Sequence, residues 1–108
     1  MGSNEVEIQF NDSESRGIYS GSKTAVRQTH REGAEVGMRM RAVFKSYSIV
    51  DLRIIAVYNQ RLGDVSDDDA RKEGYESLEL FKEAWDQTHP LRGWNPEQNI
   101  WVIEWKKP

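Results

Sequence analysis

Nine basic residues stand between Arg16 and Arg61 (Arg16, Lys23, Arg27, Arg31, Arg39, Arg41, Lys45, Arg53 and Arg61), against only Glu32, Glu35 and Asp51. The first fifteen residues carry acids and no base, and the stretch from Leu62 onward carries eleven acids and six bases. A chain charged in blocks this way folds with one basic and one acidic face, and the basic face draws anionic groups such as phosphates. Arg39, Arg41 and Lys45 are candidates for phosphate contacts, with a solvated strand face as their structural alternative. Tyr19 is a candidate for stacking on a base, or else a core plug. The net charge of −3 argues against coating a long duplex, so a ligand of mononucleotide size suits the balance better. There is no cysteine, which removes disulfide frameworks, thiolate metal sites and cysteine nucleophiles together. His30 and His89 lie far apart and in no ligating spacing, so neither a metal nor a cofactor is expected.

The chain must hold these side chains on a small scaffold. Its 108 residues, 37% hydrophobic with four tryptophans, suffice for one domain with a modest core spanning 1–108. Residues 1–4 read as a disordered end or a cloning remnant. No run of apolar residues is long enough to cross a bilayer, and a soluble, cytoplasmic monomer without membrane attachment is expected.

Period-two alternation places a strand at Val6-Ile8-Phe10, and Asp12 stands as the N-cap of a short helix over 13–20 that turns Ile18 and Tyr19 inward and ends at Gly21. A short strand over 23–28 follows, then a loop over 29–35. The residues 36–45 alternate as a strand with Met38, Met40, Ala42 and Phe44 on one face and Arg39, Arg41, Val43 and Lys45 on the other. A turn over 46–48 leads to a partner strand over 49–58, and the hairpin would carry a continuous electropositive stripe. Ser66 before three aspartates starts a helix that Gly74 stops, and Ser77 caps a second one with Leu78, Phe81, Ala84 and Trp85 on one face. The closing strand over 99–105 is apolar on both faces and belongs in the sheet interior.

The run Ile18-Tyr19-Ser20-Gly21-Ser22-Lys23-Thr24-Ala25-Val26-Arg27 resembles the I-x-x-G-x-K-T-x-T-R signature of the ASCH domain, a family of the PUA-like fold. Three further blocks fall in that family's order: Gly37 before the strand over 38–44, the helix segment 67–75 followed by Ser77-Leu78, and Trp101-Val102-Ile103-Glu104-Trp105. The resemblance covers nearly the whole chain. It implies an α+β fold, a PUA-like mixed β-barrel of about five to six strands with two to three short helices, whose cleft holds RNA or a modified nucleoside.

Small ASCH proteins include amidohydrolases that deacetylate acetylcytidine with a lysine and a threonine of the signature and a glutamate before the helix-ending glycine. The resemblance carries the lysine onto Lys23 and the glutamate onto Glu73; the threonine three residues on from the lysine falls on Val26, while Thr24 fills the other signature threonine position. Valine offers neither nucleophile nor proton, so Thr24 is the remaining hydroxyl for a catalytic set of Lys23, Glu73 and Thr24. Shifting the hydroxyl two residues along a strand moves it about 6–7 Å. A salt bridge tying strand to helix is the structural alternative for Lys23 and Glu73. The arginine that closes the signature is Arg27, whose forked donors suit a phosphate or a base edge. With Arg27, the expected ligand contacts are Tyr19, Ser22, Arg39 and Arg41. The favoured function is binding of RNA or a modified nucleoside; the alternatives are amidohydrolysis of acetylcytidine and a protein-interaction module using the acidic helical face of residues 67–86.

Overall fold

The computed structural model describes residues 4–107. Strands β1 (Glu5–Gln9), β2 (Ala25–Gln28), β3 (Arg39–Phe44), β4 (Tyr47–Arg61) and β5 (Asn99–Lys106) form one mixed sheet in the order β1-β3-β4-β5-β2. Only β1 and β3 run parallel. Helices α1 (Asp12–Ser20), α2 (Asp67–Lys72) and α3 (Leu78–Thr88) complete the α+β architecture. The strands form an open sheet rather than a closed ring, with β1 and β2 as its edges. The expectation for residues 1–4 lies outside the described residues except at Asn4, whose carbonyl accepts the Arg39 amide.

Local chemistry explains where the elements begin and end, and where they depart from the sequence pattern. The N-cap of α1 is Asn11, one residue before the expected Asp12: its side chain accepts the Glu14 amide and Glu14 accepts the Asn11 amide, a reciprocal capping box. Gly21 ends α1 in a left-handed conformation, φ 90°. Ile18 is buried but Tyr19 is 70% exposed, because neighbours on a helix diverge by about 100° and cannot both face one core. The expected strand start at Val36 gives way to Arg39, since Gly37 bends the chain at φ +92° just before it. The turn over 46–48 is instead a tight one at Lys45 and Ser46, with Lys45 at φ 57°, so β4 begins at Tyr47. Ser66 and Asp69 form a second capping box for α2, and Ser77 accepts the Leu80 amide at the start of α3.

Two irregularities interrupt the ladders. The register between β3 and β4 shifts at Ala42 and Val43 with Ile49 as the extra residue, and Val43 keeps the face of Arg41, where it is buried opposite Gln9. Between β4 and β5 it shifts around Ile55, leaving that side chain exposed. Beyond the shift, the Tyr58 hydroxyl donates to Glu104 Oε2 at 2.7 Å. Partial burial, followed by the adjacent Glu104 carboxylate, pushes the Tyr58 phenol up to about 12. A phenol that resists ionisation in the fold contributes stability fully present below pH about 10 and lost as pH rises toward 12. Absorbance at 295 nm during alkaline titration should therefore show a component near pH 12 that is missing from Tyr58→Phe.

The interior strand β5 separates two cores. Ile103 and Trp105 join Phe10, Ile18, Met40 and Ile54, with Trp105 edge-on to Phe10 at 5.9 Å between ring centres. Ile100 and Val102, on the opposite face, pack with Leu62, Phe81 and Trp85 beneath α3. An interior strand with two apolar faces is what the alternation over 99–105 predicts, and β5 indeed lies between β4 and β2.

Candidate functional site

Lys23 sits in the short link between α1 and β2, where three backbone contacts fix it. Its own amide donates to the Gly17 carbonyl, the Thr24 amide donates to the Lys72 carbonyl at 2.7 Å, and the Trp105 amide donates to the Thr24 carbonyl. Two glycines make room for the side chain. A Cβ on Gly17 would stand 3.1 Å from the Lys23 Cβ, and one on Gly74 would stand 3.6 Å from it, with Gly74 held at φ +96°. That tight turn presents Glu73, at the end of α2, directly to the lysine.

The result is a buried ionic network. Lys23, Arg27 and Glu73 are 3%, 5% and 5% exposed. Lys23 Nζ donates to Glu73 Oε1 at 2.9 Å and to the Glu73 carbonyl at 3.2 Å. Arg27 Nη1 donates to Glu73 Oε2 at 3.0 Å, Arg27 Nε to Gln60 Oε1 at 2.9 Å, and Arg27 Nη2 stands 3.2 Å from Asp69 Oδ1. Two cations thus face two carboxylates, and Glu14 Oε2 lies 4.0 Å from Lys23 Nζ. Charges taken out of water persist only when paired this completely. Burial would raise the Asp69 carboxyl, but the Ser66 amide, the Gln60 side chain and Arg27 outweigh it and hold the group below its usual range.

Two hollows meet at this network. A small cavity of about 100 Å³ is walled by Lys23, Val26, Arg27, Glu73, Tyr75 and Trp85, together with Phe81, Ala84, Thr88, His89, Asn11 and Glu14. A more open groove of about 360 Å³ is lined by Ser13, Arg16, Ser20, Ser22 and Gly74 as well as Lys23, Glu73 and Tyr75. Burial raises the Tyr75 phenol, and Glu73 and Glu14 raise it further, so Tyr75 offers a protonated hydroxyl beside both spaces. The Trp85 indole N–H is buried without a partner among the described residues, which leaves a donor in the cavity wall. No group of three or more His, Asp or Glu side chains among the described residues is placed to hold a metal ion.

The candidates drawn from the sequence divide accordingly. Lys23 and Glu73 meet, Ser22 lines the groove, and Arg27 is inside the network with its donors turned to protein rather than to solvent. Val26 lines the cavity, whereas Thr24 lines neither space and is engaged through its backbone. Tyr19 points away to solvent. On the hairpin stripe Arg39 and Arg41 reach Glu5 at 3.4 and 3.2 Å, Arg41 lies 3.9 Å from Asp51, Arg53 donates to the Gly37 carbonyl, and Lys45 Nζ lies 5.3 Å over the Phe44 ring. Neither Arg39 nor Arg41 lines the cavity or the groove. Sequence reasoning assigned Asp69 only a capping role and Trp85 only a core role, and it passed over Gln60 and Tyr75. Nothing in the local pattern marks Gln60, which enters the site because β4 runs on to Arg61.

No family model matches the sequence, and no curated protein matches it. Among solved structures the chain is similar to an ASCH domain from Lactobacillus crispatus JV V101, with a TM-score of 0.76 and 19% identity over 94% of this chain and 78% of that one. It is similar to an ASCH protein from Zymomonas mobilis, with a TM-score of 0.72 and 12% identity over 96% and 68% of the respective chains. A protein of Enterococcus faecalis V583 gives a TM-score of 0.67 at 18% identity, over 100% and 77%. At these identities the likeness is one of fold.

Proposed function

We propose, from the ASCH-domain fold that the chain shares with these structures, that it binds a modified nucleoside, free or as a single unpaired base of RNA, without cleaving it. The observation that carries this reading is the buried Lys23–Glu73–Arg27 network at the junction of a cavity and an open groove. Polar groups fixed in a hollow of mixed polar and apolar lining read the edge of a heterocycle, while Trp85 and Phe81 supply apolar wall. Retention rather than hydrolysis follows from two features. Val26, at the position of the signature's threonine, lines the cavity without a hydroxyl, and both Glu73 oxygens already accept from cations, so no free base stands beside a nucleophile. Amidohydrolysis of acetylcytidine is the second reading, favoured by the Lys23 ammonium, which the cavity wall presents as a donor to an acyl oxygen.

Amide-resonance titration with cytidine, acetylcytidine and a short single-stranded RNA, with deacetylation followed in the same tubes, tests both. Shifts gathered on Lys23, Arg27, Glu73 and Tyr75 without product are expected. Product formed by the unaltered chain would replace the binding reading with the hydrolytic one, and no shift at millimolar ligand would overturn both.

A further inference from the structure

Cations left without a protein partner show where else the molecule meets an anion. The hairpin arginines are paired, but at the other end of the sheet His30, Arg92 and His89 line an open basin of about 440 Å³ with Thr29, Gln98 and Asn99. No carboxylate lines it, and Arg92 and His30 have no ion pair or hydrogen bond among the described residues. Arg31, next to His30, adds a second guanidinium at this end, 5.1 Å over the Trp101 ring. The remaining lining groups are amides and a hydroxyl, which complete a donor set for an oxyanion.

His89 links this basin to the site already described, because it lines the small cavity as well. Its ring is stacked on Trp85 at 4.0 Å, and its Nδ1 lies 3.1 Å from the Trp85 carbonyl and 3.0 Å from the Thr88 hydroxyl. The imidazole therefore borders both the nucleoside cavity and the basin, which adjoin at this residue. We propose that the basin formed by His30, Arg92 and Asn99 binds the phosphate of a nucleotide whose base occupies the Lys23–Glu73 cavity, so that the ligand is a nucleotide or a phosphodiester-linked base and not a bare nucleoside. This rests on the binding reading above. Arg92 supplies the permanent charge, and its fork suits two phosphate oxygens at once.

The test compares acetylcytidine and cytidine with their 5′-monophosphates, and with a cytidine-containing dinucleotide that separates a backbone diester from a terminal phosphate. Inorganic phosphate is the control. The phosphorylated ligands should bind about tenfold more tightly than the nucleosides, corresponding to about 1.4 kcal/mol, with added shifts at Thr29, Gln98 and Asn99. Arg92→Gln should abolish that preference while leaving nucleoside affinity unchanged, and raised salt should shrink it. Preference for the monophosphate alone would identify a free nucleotide, and equal preference for the dinucleotide would identify an RNA backbone. Equal affinity for nucleoside and nucleotide, with cavity shifts intact, would overturn the inference and spare the binding reading. Shifts at the basin with inorganic phosphate but none in the cavity with any nucleoside would overturn both the cavity reading and the linked nucleotide site.

Discussion

Glu73→Ala should be among the most damaging single substitutions in the molecule, lowering stability by roughly 3–5 kcal/mol, because it leaves Lys23 and Arg27 buried with uncompensated charge. For a domain of this size that corresponds to a fall in Tm on the order of 15–20 °C. Asp69 remains beside Arg27, so the stranded charge is chiefly that of Lys23. Lys23→Met combined with Glu73→Gln removes one charge of each sign and leaves Arg27 with Asp69. The double variant should therefore be more stable than Glu73→Ala, and with the single variants Lys23→Met and Glu73→Gln it closes a cycle that measures the coupling of the pair. Urea denaturation of the single and double variants reads it directly; a loss below about 1 kcal/mol in Glu73→Ala would show that water reaches the cations and that the network is a surface feature.

Trp105→Ala is the second large effect, and its cause is packing. The indole is 3% exposed, lies edge-on to Phe10 and closes the core between the sheet and α1. Truncating a buried tryptophan loses its transfer free energy and leaves a cavity that the surrounding strands refill only in part, together about 3–5 kcal/mol. The urea midpoint should fall while the slope stays unchanged, since the unfolded chain exposes much the same surface. A reduced slope would instead mean that the edge strand β1, which brings Phe10, has come away from the native sheet.

Legibility in the sequence tracked how local the determining chemistry is. Capping residues and alternation placed all five strands and three helices to within a few residues, because Ser66, Ser77, Gly21 and Gly74 act on the backbone beside them. The local error lay at Tyr19, which was given the same face as Ile18 although successive helical residues diverge by about 100°. The site was legible where the family signature reached it. Lys23 and Glu73 were marked as a pair, although their separation is fixed by Gly17 and Gly74, whose role appears only when the chain is folded. Arg27 was recognised as important but for contact with a ligand, since its partners Gln60 and Asp69 arrive from β4 and α2 and share no spacing with it. The basic stripe failed as a surface for the same reason: Glu5 comes from β1, the parallel neighbour of β3, and pairing across strands cannot be counted along the chain.

The ladder between β2 and β5 places Ala25 opposite Glu104 and Arg27 opposite Val102. During synthesis on a ribosome, the segment carrying Lys23 and Arg27 emerges early but has no neighbouring strand until the segment from Asn99 to Lys106 has left the exit tunnel. Glu73 and Asp69 are available well before that, so the counter-charges wait on a strand rather than the strand on its charges. A nascent chain stopped short of β5 holds Lys23 and Arg27 in solution as ordinary solvated ions, and the buried network comes into being only when the last strand slides between β4 and β2.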